Sequence, residues 1–425
     1  MRRTLLACAL ALPALASCRG GGDADAAGAR ASGSAPALAG LREIPSPAAP
    51  GSAEPNLAAG DDGRVYLSWI EPAPDSAHAL RFAVLEGGRW SAPRTVASGR
   101  DWFVNWADFP SLAVLPGGRL AAHWLQRSGP GRYAYDVRIA RSSDGGATWS
   151  PGVVPHRDGV PAEHGFVSLW AEGDSLAAAW LDGRKYAAAE GGGGGEGEGH
   201  GGETMLMHTA LAADGGLAAE TELDARICDC CQTGQATTSA GPLVVYRDRS
   251  PDEVRDVYVV RRVGGRWTEP RPVHADGWKI PACPVNGPQV SARGDDVAVA
   301  WFTGARDTAR VRVAFSRDAG ATWSAPVRVD DGDPAGRVDV ELLEDGAALV
   351  SWIERTGGGA AEVRARRVSA GGARGAASTV AATGGERASG FPRMARSGGE
   401  VVFAWTAPGD PSTVRTARAA LGGGR

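Results

Sequence analysis

The chain has 425 residues, a formal net charge of -4 and a pI near 6.0, so its electrostatics give no reason to expect nucleic acid as a partner. The length allows one large repeat domain or two ordinary domains. Glycine, alanine, valine and tryptophan are prominent and lysine is scarce, a balance that favours many short strands and turns over long helices. We expect no cofactor.

The first 18 residues predict an export signal, with Arg2 and Arg3 followed by an apolar run over 5–15. The run ends in Leu-Ala-Ser-Cys, which resembles a bacterial lipobox with Cys18 as the acylated residue. Residues 19–38 then form a flexible tether, and 39–425 form the folded body. We expect a lipid-anchored protein of the bacterial cell envelope, facing the periplasm or the exterior. The alternative is an ordinary secretory signal with an incidental cysteine.

An eight-residue segment at 142–149 (SSDGGATW) returns at 316–323 (SRDAGATW) and marks an internal repeat. The shared positions are Ser142, Asp144, Gly146, Thr148 and Trp149 in the first copy and Ser316, Asp318, Gly320, Thr322 and Trp323 in the second. These residue types predict a tight turn between two strands, because carboxylate and hydroxyl groups bond turn amides, glycine tolerates positive φ, and tryptophan enters the core.

A second pattern, a hairpin turn followed by a strand that ends in an aromatic residue, counts the repeat units. The seven aromatic residues are Trp69, Trp124, Trp180, Tyr246, Trp301, Trp352 and Trp405. Their spacing is roughly fifty to sixty-six residues, and the longest interval holds a glycine-rich insertion at 191–195. This period predicts an all-β propeller of four-stranded blades, seven rather than six. The last unit lacks a fourth strand, so residues 41–44 are expected to close the ring as its outer strand.

Both copies of the eight-residue segment resemble the Asp-box (BNR repeat) of sialidase-like β-propellers. In that family the box marks the fold and lies away from the active site, so the resemblance implies an architecture and not an activity. Ordinary sialidases have six blades, and their amino-terminal Arg-Ile-Pro motif is missing here, where 42–45 reads Arg-Glu-Ile-Pro.

Blade connectivity predicts one functional face. The links between blades, and the loops between second and third strands, are long, irregular and polar, as functional loops tend to be. Their arginines and tryptophans suit an anionic sugar or other carboxylate ligand. The candidate ligand-binding residues are Arg184, Arg247, Arg249, Arg306, Trp102 and Trp106. We expect a glycan or small anionic ligand and a monomer. The alternative is that these charges only solvate loops.

Sialidases use a tyrosine nucleophile, an aspartate acid/base and three arginines that grip the sugar carboxylate. Carried over to this sequence, the resemblance makes Tyr246 the best nucleophile candidate, although its place in the repeat also fits core packing. Asp182 or Asp248 is the acid/base candidate, and Arg184, Arg247 and Arg306 are the clamp. The catalytic set is incomplete by motif, so activity as a sialidase-type glycoside hydrolase stays open beside a non-catalytic interaction scaffold.

Four cysteines follow Cys18 in the expected mature body: Cys228, Cys230, Cys231 and Cys283. In an oxidising compartment we expect them to form disulfides, with three pairings possible. The alternative is a metal or redox site that combines these thiols with histidine, for which His164, His200 and His208 are candidates.

Overall fold

The computed structural model describes residues 37–189 and 203–422. The predicted signal and Cys18, nearly all of the tether, and the insertion with His200 lie outside these residues. In the described part, antiparallel strands form seven sheets that follow one another along the chain. The predicted seven-bladed, all-β propeller is therefore confirmed over the six-bladed alternative. Within 37–189 and 203–422, no helix is long and apolar enough to cross a bilayer.

The strands of the first four blades run outward from the central axis in chain order. After a separate first strand, β1 (Leu38–Ile44), blade 1 holds β2 (Ala53–Ala59), β3 (Val65–Ala73), β4 (Ala77–Glu86), β5 (Arg89–Trp90) and β6 (Arg94–Gly99). Blade 2 holds β7 (Ser111–Leu115), β8 (Arg119–Arg127) and β9 (Tyr135–Ser142). Blade 3 holds β10 (His164–Glu172), β11 (Ser175–Asp182), β12 (Thr204–Leu211) and β13 (Thr221–Ile227). Blade 4 holds β14 (Gly234–Thr238), β15 (Gly241–Arg247), β16 (Val257–Val263), β17 (Arg266–Trp267) and β18 (Arg271–His274).

The other three blades repeat this plan. Blade 5 holds β19 (Gln289–Arg293), β20 (Asp296–Thr303), β21 (Arg310–Ser316) and β22 (Val327–Arg328). Blade 6 holds β23 (Pro334–Leu342), β24 (Ala348–Gly357), β25 (Ala360–Val368) and β26 (Ser378–Gly384). Blade 7 holds β27 (Arg393–Ser397), β28 (Glu400–Ala407) and β29 (Thr413–Leu421). The short helical pieces are α1 (Arg184–Ala189) and the 3-10 turns Pro116–Gly118, Ala305–Asp307 and Arg387–Ser389.

The ring is closed by the amino-terminal strand, as the repeat count predicts. Strand β1 pairs antiparallel with β29, from Leu38 opposite Leu421 to Ile44 opposite Thr416, and becomes the outer strand of blade 7. The pairing covers an edge that would otherwise present unpaired backbone groups. Blade 7 is thus built from both ends of the described chain.

The repeated aromatic residues on the second strands fill the spaces between blades. Five of them are fully buried tryptophans: Trp69, Trp180, Trp301, Trp352 and Trp405. In three blades the indole Nε1 also donates to the carboxylate two residues further on, as in Trp69 to Glu71 at 2.7 Å and Trp180 to Asp182 at 2.9 Å. The hydrogen bond lets each large ring be buried without an unpaired N–H, so one pattern supplies packing and polar satisfaction together.

The two copies of the eight-residue segment form the same turn. In the first copy the Ser142 hydroxyl accepts a hydrogen bond from the Gly146 amide at 2.8 Å, and Asp144 accepts one from the Thr148 amide at 2.9 Å. In the second copy the corresponding bonds, Gly320 to Ser316 and Thr322 to Asp318, are both 2.9 Å long. Their turn bonds lower the pKa of both aspartates, chiefly through the threonine hydroxyl.

Candidate functional site

The ring has two ends. The end formed by blade-to-blade links and by the loops between second and third strands is called the link face here. The opposite end, formed by the hairpins and by the turns at 142–149 and 316–323, is called the hairpin face. The inner strands surround a polar central cavity of about 730 Å³ that runs between them and reaches hairpin residues such as Asp61 and Gly173.

At the link face the cavity is narrowed by side chains that bridge from one link to another. Gln232 donates to the Ala107 carbonyl at 2.7 Å and accepts from the Gly287 amide at 3.0 Å, joining three links across the axis. A β-carbon added to Gly287 would meet the Gln232 main chain at 2.0 Å, so this close approach requires glycine. Asn286 extends the bridge by accepting from the Arg337 amide at 2.7 Å. The links into blades 2, 4 and 5 therefore form one connected layer.

Within this layer a tyrosine hydroxyl lies between two carboxyl groups. The hydroxyl oxygen of Tyr135, at the start of β9, lies within hydrogen-bond distance of two carboxyl oxygens, 2.9 Å from Asp108 Oδ2 and 2.8 Å from Glu163 Oε1. Asp108 Oδ1 also accepts from the Phe166 amide at 2.7 Å, which fixes the carboxyl group at the end of the cavity. A phenol has one proton, so both short contacts are satisfied when one of the two carboxyl groups is protonated.

The electrostatic surroundings of Asp108 and Glu163 favour the state in which one of these two carboxyl groups is protonated. Burial raises the pKa of Asp108 to about 7, against the hydrogen bonds from Phe166 and Tyr135. Burial also raises the pKa of Glu163 to about 8, and the charges of Asp108 and Asp229 add to the effect. Glu54, at the start of β2, is also buried, and desolvation together with the charge of Asp108 raises its pKa well above the usual range. Paired carboxyl groups with raised pKa values are typical of proton-transfer sites.

An aromatic and basic surface lies beside the carboxyl groups. Trp106, two residues before Asp108, is half-buried and stacks on Phe391 with ring centroids 5.8 Å apart. The guanidinium of Arg337 lies 5.0 Å from the Trp106 ring, and that of the exposed Arg387 lies 5.9 Å from it. Arg337 donates hydrogen bonds to the main-chain carbonyls of Glu386 and Gly390. Arg387 is thus the cation placed to meet a ligand on this surface.

Sequence reasoning placed Asp108 and Glu163 in polar links but did not single them out, and it missed Tyr135. Tyr135 begins the third strand of its blade, where an aromatic residue predicts packing in the core, and it is completely buried. The sequence carries no signal for this contact, because the start of this strand pairs with the next link only in the folded ring, through the isolated bridge between Tyr135 and Glu163. Trp106 is the one predicted ligand residue that lies in the group just described; Trp102 is buried against Trp124 in the space between blades.

The predicted catalytic residues occupy other places. Tyr246 is buried in the core, where its hydroxyl donates to Asp224 Oδ2 at 2.5 Å and burial raises its pKa well above the usual range. Asp182 is completely buried as the partner of Trp180 and Arg184. Asp248 lies near Asp224, and its pKa is raised to about 7 by desolvation and by that neighbouring carboxylate. The three residues are therefore held by blade packing.

The four predicted arginines also lie in separate environments, so the expected clamp is not assembled. Arg247 is buried and donates to the main-chain carbonyls of Asn286 and Phe302, both at 2.8 Å. Arg249 forms a buried ion pair with Glu253 at 2.8 Å. Arg184 contacts Asp158, Asp182 and Glu220 at 2.6–2.8 Å, whereas Arg306 lies on an exposed turn. Arginines of polar loops were expected at the surface; here two serve as internal supports of the links.

The cysteines meet at the boundary of the links into blades 4 and 5. Cys230 and Cys283 form a disulfide with Cα atoms 6.0 Å apart, so disulfide formation is confirmed for this pair. Cys228 and Cys231 are buried thiols whose sulfurs are 2.7 Å apart. Burial opposes ionisation of Cys231, but the Cys228 thiol and the Arg247 and Arg255 charges lower its pKa overall.

Histidine and aspartate side chains form a second polar cluster between blades 2 and 3. The rings of His156 and His164 stack at 3.7 Å, and His164 Nε2 lies 2.9 Å from Asp158. Although burial opposes protonation, Asp158 and Asp182 raise the pKa of His164. Groups such as Asp136, His156 and His164 lie close enough to share a metal ion, yet ion pairs that include Arg184 already satisfy much of the cluster. His208 lies elsewhere, against Trp170 and Trp267.

The chain is a seven-bladed β-propeller with a carboxyl-rich link face, and comparison with known proteins extends only as far as the fold. No protein-family model and no curated protein matches the sequence. A protein of unknown function from Dyadobacter fermentans is 13% identical with a TM-score of 0.51, over 92% of this chain and 100% of that chain. The polysaccharide lyase Uly1 is 11% identical with a TM-score of 0.52, over 87% and 90%.

Sialidases also occur among the structural neighbours. The NanB sialidase from Streptococcus pneumoniae is 9% identical with a TM-score of 0.44, over 84% of this chain and 83% of that chain. At these identities the likeness concerns the propeller architecture alone, and the residues of the link face are the basis for any statement about function.

Proposed function

We propose that this protein is a glycan-recognising propeller that cleaves a glycosidic bond at its link face. The observation that carries the proposal is the Tyr135 hydroxyl held between Asp108 and Glu163 at 2.9 and 2.8 Å. Two carboxyl groups within two hydrogen-bond lengths, one protonated and one ionised near neutral pH, supply the acid and the base that glycoside cleavage needs.

The roles of the two carboxyl groups follow from their exposure. Glu163 is partly exposed and has the higher pKa, so it is the proton donor to the leaving oxygen. Asp108 is buried, bonded to the Phe166 amide, and is the group that holds the phenol of Tyr135. Tyr135 is completely buried and its pKa is raised well above the usual range, mainly by burial, so it passes a proton between the two carboxyl groups and is not itself the nucleophile. This set replaces Tyr246, Asp182 and Asp248 as the candidate catalytic group.

The substrate class proposed is an acidic glycan. A sugar ring stacked on the exposed part of Trp106 would place a carboxylate or sulfate within reach of Arg387, whose guanidinium lies 5.9 Å from that ring. The polysaccharide lyase Uly1 demonstrates that a propeller of related architecture carries chemistry on polysaccharides. A sialidase-type hydrolase is the narrower version of the proposal.

A second candidate function is glycan binding without cleavage. It is favoured by one observation, the complete burial of Tyr135 together with the near-complete burial of Asp108, which leaves Glu163 as the accessible member of the group. Binding and cleavage make different demands on Glu163, so one experiment separates them.

The experiment is calorimetric titration and product analysis of the purified protein with a didehydro sialic-acid analogue and with uronate-containing oligosaccharides. Cleavage predicts new reducing ends, or unsaturated uronate for elimination, in a bell-shaped pH profile with limits near 7 and 8. Glu163→Gln should abolish products and retain binding, whereas Trp106→Ala should weaken binding. Arg317→Ala, exposed on the hairpin face, is the matched control. Binding without products would favour the second candidate, and no binding to any acidic glycan would refute both.

The cellular setting is also a proposal. We propose a monomer that is held at the bacterial cell envelope by acylation of Cys18 and faces the periplasm or the exterior. Incorporation of labelled palmitate, lost in Cys18→Ala, tests the anchor. Light scattering of a soluble form tests the monomer.

A further inference from the structure

The four cysteines of the propeller differ systematically in exposure. Cys283 is exposed, its disulfide partner Cys230 is half-buried, and Cys228 and Cys231 are each 1% exposed. The chain spacing of the buried pair, Cys-x-x-Cys, is that of dithiols that open and close a disulfide. The order of exposure runs from a surface disulfide inward to a buried dithiol.

The sulfur atoms are close enough for exchange between the two pairs. The Cys228 sulfur lies 3.8 Å from that of Cys230 and 2.7 Å from that of Cys231. Arg255 places one guanidinium nitrogen 3.3 Å from the Cys228 sulfur and 3.1 Å from Asp229. Burial and the neighbouring Cys231 raise the pKa of the Cys228 thiol, and the fixed positive charge of Arg255 opposes this by stabilising the thiolate that develops as Cys228 attacks a disulfide.

We propose that the four cysteines form an internal thiol–disulfide exchange site that moves one disulfide between the surface pair, Cys230–Cys283, and the buried pair, Cys228–Cys231. The site would offer its surface dithiol to external disulfides, of peptides or of small molecules. The thiol groups that react in this exchange are not among the side chains of the glycan function proposed above.

The exchange balances without an added oxidant. The Cys228 sulfur attacks Cys230, the Cys230–Cys283 bond breaks, and a Cys228–Cys230 bond forms. Cys228 releases its proton, and the departing Cys283 sulfur takes up a proton and becomes a thiol. Cys231 then attacks Cys228, forms the buried disulfide and releases Cys230, while its proton passes to the surface pair. One disulfide and two thiols are present before and after, and a surface dithiol has replaced a surface disulfide.

Peptide mapping can distinguish the form with a Cys230–Cys283 disulfide from the form with a Cys228–Cys231 disulfide. Trypsin cleaves after Arg226, Arg247, Lys279 and Arg293, so the three cysteines of 227–247 leave in one peptide and Cys283 in another. A disulfide to Cys283 therefore joins two peptides, whereas a Cys228–Cys231 disulfide stays within one. The full protein is brought to one disulfide per chain with dithiothreitol, after a thiol count in denaturant. It is then incubated folded with N-ethylmaleimide, and acid-quenched samples are mapped over time.

We expect maleimide to label Cys283 and Cys230 progressively in the wild type, leaving a Cys228–Cys231 disulfide. In Cys228→Ser the Cys283 label should appear at least about tenfold more slowly, because the first attack is lost. In Cys231→Ser the label should persist with a Cys228–Cys230 disulfide. Near-ultraviolet circular dichroism checks that each variant is folded.

Two results would overturn the proposal. One is a permanent Cys230–Cys283 crosslink in the wild type while Cys228 and Cys231 take the label. The other is a combination of two findings: the reduced protein binds Zn²⁺ stoichiometrically, and the disulfide does not move between the two cysteine pairs after the metal has been removed. Both read out from the wild type, so neither depends on how well a variant folds.

Discussion

Replacing Asp108 by a neutral residue tests whether burial at the link face raises the pKa of this carboxyl group. In Asp108→Asn the side-chain oxygen can still accept from the Phe166 amide, and the amide nitrogen can donate to Tyr135, so the shape and bonds of the site are kept. What disappears is a buried carboxylate, whose pKa is raised by desolvation from 3.8 to about 7. A shift of this size corresponds to about 4 kcal/mol of unfavourable ionisation in the folded state.

The sign follows from proton binding. The folded protein keeps the Asp108 proton up to about pH 7, whereas the unfolded chain releases it near pH 4, so the folded state holds more protons in between. Wild-type stability therefore falls as pH rises through this window, and the fall belongs partly to Asp108. The variant should gain about 3 kcal/mol relative to wild type on going from pH 5 to pH 9, because the part of the window between pH 5 and the folded pKa of about 7 is about two pH units wide.

The assay is urea unfolding at pH 5, 7 and 9, followed by tryptophan fluorescence. Asp295→Asn, on an exposed hairpin turn, is the matched control and should leave the pH dependence unchanged. Parallel stability curves for wild type and Asp108→Asn across this range would contradict this expectation, because they would mean that Asp108 is ionised in the folded protein without cost.

Three further predictions concern the framework. Gly146→Ala should cost about 2 kcal/mol or more, because φ is +86° and the new methyl would meet Phe82 at 2.3 Å; Gly145→Ala, at φ +66° with open space, should cost about 1, as thermal unfolding can verify. Arg247→Ala should destabilise by about 3–5 kcal/mol in denaturant unfolding, because buried carbonyls lose their donor; an unchanged midpoint would argue against a supporting role. Deletion of 38–44 should expose the edge of blade 7 and produce aggregation in size-exclusion chromatography, whereas a monomeric, equally stable product would contradict this role for β1.

The sequence predicts the ring well because the fold is periodic. The spacing of the aromatic residues counts the blades, and the missing strand of the last unit identifies β1 as the closing strand. The hydrogen-bonded pair formed by a tryptophan and the acid two residues later, as at Trp180 and Asp182, was equally visible, but Asp182 was interpreted as catalytic. Repetition of a residue pair across blades is a sign of structural use.

The candidate site could not be predicted in the same way. Tyr135, Asp108 and Glu163 come from one strand and two different links, and they meet only because neighbouring blades pack at a fixed angle. Arg247 illustrates the converse: an arginine at the end of a strand is expected to be exposed, but this one turns inward and donates to main-chain carbonyls of the link into blade 5 and of β20. Contacts between units carry no periodic signal, so they escape an argument built on repeats.

The closing strand also sets how the molecule is presented. Leu38 and Leu421 lie opposite each other at one corner of blade 7, on the hairpin face, so both ends of the described chain leave at the same point. Anything attached there, such as a lipid anchor, a surface support or a fused fluorescent protein, leaves the link face pointing away from the attachment. Immobilisation through either end should therefore preserve access to Trp106 and Glu163, and coupling through the links should block it.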